Sequence, residues 1–119
     1  MYISKLTLTN FRNYEKQTVD FVNGLNVVVG KNASGKTNLV ESIYCSAIGK
    51  SPRTNKFRDL VRWGADYAHI TIELVKKFRK YTIEFAVDNQ DKKRVAIDKI
   101  PLTRISELLG IMNVVYFSP

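Results

Sequence analysis

Eight residues, Gly30 to Thr37, read GKNASGKT and match the pattern G-x-x-x-x-G-K-[ST] at every fixed position. No other stretch restricts the fold as much. Such a loop works only where a buried strand leads in and a helix leads out. The flanks satisfy both demands. Leu25 to Val29 is a β-branched run with little polar alternation, the pattern of a strand covered on both faces, and Asn23-Gly24 before it is a turn signal. After the loop, Leu39, Val40, Ile43, Tyr44, Ala47 and Ile48 recur three and four apart. That spacing predicts a helix from Lys36 to Ile48 with one apolar stripe, ended by Gly49.

The residue types fit phosphate chemistry. Gly30 and Gly35 allow backbone angles and a close approach that a Cβ would block. The residues between and beside them, Lys31, Asn32, Ala33 and Ser34, then turn successive N–H groups inward as an anion nest. The start of the helix adds its unpaired N–H groups and the positive end of its dipole. Lys36 supplies a point charge for the β- and γ-phosphates. Thr37 offers a hydroxyl to Mg²⁺. Asn38 follows directly. The competing reading is a glycine-containing turn with an exposed lysine.

Hydrolysis needs more, namely an acid at a strand end for Mg²⁺ and a group that orients water. Asp88 and Asp98 follow strands but read as turn residues. The loop is therefore half of a catalytic site.

Composition narrows the partners. The chain has 119 residues, 45% hydrophobic, enough for one core. Its 19 Lys and Arg against 11 Asp and Glu give a net charge of +8, which favours polyanions or simply a solvated surface. Cys45 is the single cysteine, so no internal disulfide forms. No apolar run approaches the ~20 residues of a membrane span, and the opening MYISKLTLTN alternates, so the expectation is a cytosolic protein. Ending on Tyr116-Phe117-Ser118-Pro119, straight after an apolar run, the chain reads as a segment of something longer.

The rest reads mainly as antiparallel strands. Tyr2 to Thr9 and Gln17 to Phe21 form a hairpin around a turn at Asn10 to Tyr14. A basic loop spans Lys50 to Lys56, and Phe57 to Trp63 is a short helix stopped by Gly64. Ile70, Ile72 and Leu74, then Tyr81, Ile83, Phe85 and Val87, then Val95 and Ile97 mark a meander, with a turn at Asp88 to Asp91. Thr103 to Leu109 is a short helix, and Asn113 to Phe117 a buried strand.

The opening YISKLTLTNFRNYE, the stretch NGLNVVVGKNASGKTNLVESIY, the loop GKSPRT and the ending NVVYFSP together resemble the N-terminal part of the RecF family, DNA-repair ATPases with an ABC-type head related to SMC heads. The resemblance covers essentially the whole chain. It implies a mixed α/β P-loop fold, lobe I of such a head, with a mixed sheet holding the loop and an antiparallel meander beside it. Residues 1–119 would be one lobe of a longer protein.

It further implies ATP and Mg²⁺ as ligands and an ATP-dependent homodimer in the longer protein. It also implies contact with double-stranded DNA and single-strand/double-strand junctions, and RecO and RecR as partners in loading RecA. The segment alone would be monomeric and nearly inactive as an ATPase. By position, Arg12 and Asn13 would meet the nucleotide phosphates, and Arg53 would lie near the γ-phosphate. Trp63, Gly64, Ala65 and Asp66 would lie beside adenine.

Two of these have a plainer alternative: a solvated turn for Arg12, a core tryptophan for Trp63. Lys76, Lys77, Arg79 and Lys80, with Phe78 among them, are either DNA contacts or edge-protecting charges at a hairpin tip. Lys92-Lys93-Arg94 is a second basic turn of the same kind. A P-loop kinase of a small molecule is the alternative class, disfavoured by the hairpin ahead of the loop. A DNA-binding module with a vestigial nucleotide site is disfavoured by the intact Lys36-Thr37 pair.

Overall fold

The computed structural model describes residues 2–21 and 33–104, with side chains in the helix described from Asn38 onward. Strand β1 (Tyr2–Phe11) turns back through Arg12-Asn13 into β2 (Tyr14–Asp20). Helix α1 (Ala33–Ile48) follows, then a 3-10 turn at Phe57–Leu60. Strands β3 (Tyr67–Lys76), β4 (Arg79–Asp88), β5 (Lys93–Ile97) and β6 (Ile100–Pro101) complete the described chain. All six strands lie in one antiparallel sheet, ordered β2-β1-β3-β4-β5-β6.

Alternation along the strands sets the core. Leu6 and Leu8 of β1 stand opposite Ile72 and Ile70 of β3, and these stand opposite Ile83 and Phe85 of β4. All six are essentially inaccessible to solvent. Each such side chain contributes about 1.5–3 kcal/mol by leaving water. Val87 and Val95 extend this face, and α1 packs over β3 and β4 with Leu39, Cys45 and Ala47. The expected N-terminal hairpin and the expected meander are present, and Ile70, Ile72 and Leu74 share the buried face as their spacing requires. Strand β6 is an addition that the sequence did not suggest.

Two local expectations are corrected. The segment Phe57 to Trp63 is helical only over Phe57–Leu60, because Val61 bridges to Phe11 and the Arg62 N–H donates to the Asn10 carbonyl at 2.7 Å. The buried stripe of α1 is also rotated from the expected one. Asn38, Leu39, Glu41, Ser42, Cys45, Ser46 and Ala47 are buried, whereas Val40, Ile43, Tyr44 and Ile48 are only half-buried. Small side chains on this face let the helix sit close to the sheet, and the serines are satisfied within the helix. Ser42 and Ser46 donate to the carbonyls of Leu39 and Ser42 at 2.6 and 3.0 Å.

The end of α1 is as expected. Gly49 takes a φ of 86° and its N–H donates to the Cys45 carbonyl at 2.8 Å. Lys93 donates to the Gly49 carbonyl at 2.6 Å from β5, placing a cation at the negative end of the helix. The expected strands Leu25 to Val29 and Asn113 to Phe117 lie outside the described residues, as does nearly all of the expected helix at Thr103 to Leu109. Among the described residues no helix is long and apolar enough to cross a membrane.

Candidate nucleotide site

Helix α1 begins at Ala33, three residues earlier than its apolar spacing suggests, so the second half of GKNASGKT is already helical. The first N–H groups of any α-helix lack partners within it, which here include those of Ala33, Ser34 and Gly35. Its first turn carries no acidic residue to compete for them. Gly30, Lys31 and Asn32 lie outside the described residues, as do the side chains of Lys36 and Thr37.

Around the next turn three separate segments meet. Glu41, fully buried, stands at the centre. Its Oε1 accepts from Arg12 Nε at 2.9 Å and from Arg53 Nη1 at 3.3 Å. Its Oε2 accepts from Arg12 Nη2 at 2.9 Å and from Ser51 Oγ at 2.6 Å. These bonds use the full acceptor capacity of the carboxylate. The fork of Arg12 meets it side-on, the geometry that a guanidinium makes best.

Arg53 Nη1 also donates to Asn38 Oδ1 at 2.7 Å, and Asn38 Nδ2 donates to Asn13 Oδ1 at 2.8 Å. Asn38 directly follows Thr37, so Arg12, Asn13 and Arg53 are all tied to the helix within a turn of the loop. Two guanidinium groups face one carboxylate, leaving a net positive charge. Their side chains retain 21% and 37% exposure, so both still reach solvent on one side.

The backbone is arranged to the same end. Arg12 takes a φ of 52° at the first position of a two-residue hairpin loop, where glycine is normally preferred. Left-handed backbone at such a residue costs on the order of 1–2 kcal/mol. The Arg12 N–H donates to the Leu60 carbonyl at 2.8 Å, and the bidentate pair with Glu41 holds the side chain. The solvated-turn alternative for Arg12 therefore does not hold. In the basic loop, Ser51 Oγ accepts from the Arg53 N–H at 3.0 Å while donating to Glu41, which fixes the loop against the helix.

Trp63 is 97% exposed, so the core alternative for it is overturned. It sits in a turn closed by the Ala65 N–H on the Arg62 carbonyl at 2.9 Å, with Gly64 at a φ of 88°. The Asp66 carbonyl accepts from the Asn89 N–H at 3.0 Å. Arg62, on the same turn, is tied to Asn10, two residues from Arg12.

Of the two aspartates read as turn residues, Asp98 lies in the β5–β6 turn and Asp88 ends β4 with its side chain bracing the turn that follows. Asp88 Oδ1 accepts from the N–H groups of Gln90 and Lys92. The Lys92 N–H above all holds its carboxyl below the usual range. Asp98 accepts from the Thr82 N–H and from Arg79. No cluster of His, Cys, Asp and Glu able to hold a metal occurs among the described residues. Cys45 is buried, and burial, with Glu41 next, pushes its thiol far up. His69 lies within 3.2 Å of Glu84 and 3.3 Å of Thr71.

The basic tips divide. Arg79 is bound to Asp98 at 2.8 Å and stacks 4.0 Å over the Tyr81 ring, and Lys93 is turned in toward α1. Lys77 and Lys80 are exposed.

Glu41 and Ser51 escaped the sequence reading. A carboxylate on the inward face of a helix was the available signal, but its partners lie 29, 12 and 10 residues away.

Comparison with known proteins identifies the family and the fold. The AAA domain family matches residues 5–113. The DNA replication and repair protein RecF of Clostridium kluyveri is 44% identical over the whole chain, which covers 33% of that protein. A solved RecF–ATP structure superposes with a TM-score of 0.88 at 33% identity, over 99% of this chain and 33% of that one. An SMC ATPase structure superposes with a TM-score of 0.79 at 27% identity, over 93% of this chain and 77% of that one. The chain thus spans about one third of the length of the RecF proteins it matches. It belongs to the AAA domain family, with the ATPase-head fold of RecF and the SMC proteins.

Proposed function

We propose that the chain binds Mg²⁺–ATP as lobe I of a RecF-like DNA replication and repair ATPase. One observation carries the reading: Arg12, Asn13, Asn38 and Arg53 converge on the first turns of the helix that begins inside GKNASGKT. Lys36 and the N–H groups of the loop take the β- and γ-phosphates, and Thr37 takes Mg²⁺. Arg12 and Arg53, held by Glu41, add charge around the phosphates, with Arg53 toward the γ-phosphate. Trp63, Gly64, Ala65 and Asp66 border adenine. A second, opposing site half supplies what hydrolysis needs, through the ATP-dependent dimer of the longer protein. That protein contacts DNA, with RecO and RecR as partners in RecA loading. On this lobe the exposed cations of the β3–β4 tip meet DNA phosphates.

Trp63 is the sole tryptophan, so its emission reports on the adenine position. Calorimetric titration with Mg²⁺–ATP should show saturable binding, and the same addition should quench and blue-shift the Trp63 emission. Mg²⁺–tripolyphosphate, which lacks the base, should bind without shifting it. Binding by calorimetry with unchanged emission would remove Trp63 from the adenine site. No detectable binding would remove the nucleotide reading itself.

A further inference from the structure

The tip joining β3 to β4 has an unusual composition for its geometry. The strands close on the pair Lys76 and Arg79, leaving Lys77 and Phe78 as a two-residue loop. Both have positive φ, 50° and 66°. That backbone belongs to Asn-Gly and Asp-Gly turns, and a bulky residue there is an outlier. Phe78 is also fully exposed, at 107% relative accessibility. The chain thus bears both backbone strain and an unburied ring at one residue. Strain of this kind persists mainly where function requires it.

The surroundings indicate the ligand. Lys77 and Lys80 lie on either side of Phe78 in sequence and are exposed. The cation of Arg79 is already matched by Asp98. The neighbouring β5–β6 turn contributes exposed Lys99, also at positive φ. An aromatic face among exposed cations with no ion pair among the described residues suits a polyanion that carries flat apolar rings, which describes a nucleic acid. In an intact duplex those rings are stacked on one another, so a side chain offering a ring face needs an unpaired base.

We propose that the β3–β4 tip binds single-stranded nucleic acid, with Phe78 stacked on an unpaired base and Lys77 and Lys80 on the flanking phosphates. This rests on the nucleic-acid partner proposed above and adds a strand preference to it. It is independent of the nucleotide site. The register places the tip beside Tyr2, at the opposite end of β1 from Arg12, a strand length of about 30 Å.

The test compares a labelled oligo(dT) with a relaxed closed-circular duplex, which has no ends, in binding to the full chain. Phe78→Ala should weaken oligo(dT) binding about 5- to 100-fold, leave the circle and Mg²⁺–ATP unaffected, and keep the salt dependence. Phe78→Trp should retain oligo(dT) binding. Lys77→Ala/Lys80→Ala should weaken both DNAs and flatten the salt dependence. Phe78→Gly should lose oligo(dT) binding while raising Tm, because glycine accepts the left-handed backbone. If Phe78→Ala binds oligo(dT) like the parent, or loses both DNAs equally, the stacking role is wrong and the DNA partner stands. If the parent binds neither DNA at low salt, the DNA partner falls as well.

Discussion

Glu41→Ala is expected to destabilise the chain by about 3–5 kcal/mol, read as a lowered urea midpoint with an unchanged slope. The size follows from what the carboxylate holds. Removing it strands the Arg12 fork, frees Arg53 from one of its two anchors and leaves the buried Ser51 hydroxyl without its acceptor. It also leaves a cavity on the inner face of α1. Breaking a buried pair from one side costs far more than the pair itself contributes, because the remaining charges stay partly desolvated.

Glu41→Gln separates charge from shape. It fills the same space and can still accept from Ser51, so its loss should be smaller. Both arginines would then lack a counter-charge, and they should drift from the helix. A Glu41→Gln chain that melts like the parent but binds Mg²⁺–ATP more weakly would mark Glu41 as a group that positions Arg12 and Arg53. Equal stability of Glu41→Ala and the parent would contradict the burial and bonding described.

The pattern of what was legible follows from the range of the forces. Strands with one covered face announce themselves by alternation, so Ile70, Ile72 and Leu74 and their partners on β4 were readable from spacing alone. The loop was readable because phosphate binding demands glycine, lysine and a hydroxyl at set positions. The inner face of α1 was misread because periodicity measures apolarity, while this face buries Asn38, Glu41, Ser42 and Ser46. Asn38 and Glu41 are tolerated there because partners arrive from a hairpin turn and a distant loop, and Ser42 and Ser46 because they donate to carbonyls of the helix itself. A core position is the plainer reading of Trp63 from sequence, yet the Arg62-to-Ala65 turn presents it to solvent. The 3-10 turn after the basic loop stopped early because the backbone of Val61 and Arg62 is engaged by β1.

Lys36→Ala carries the second large effect. A lysine beside two phosphates forms charge-assisted hydrogen bonds in a partly desolvated nest, worth about 2–4 kcal/mol when one partner is deleted. That corresponds to a loss of roughly 30- to 1,000-fold in Mg²⁺–ATP affinity. The substitution lies in the first turn of α1, where alanine is a good helix former, so the fold should be retained. Arg12 and Arg53 remain on Glu41 in this variant, so any residual affinity measures what they and the loop N–H groups contribute.

Calorimetric titration of Mg²⁺–ATP into the parent chain and Lys36→Ala, at one salt concentration and with matched melting curves, tests the central claim most directly. Saturable binding by the parent, and binding by the variant at least about 30-fold weaker, is the expected result. Equal affinities for the two chains would contradict it.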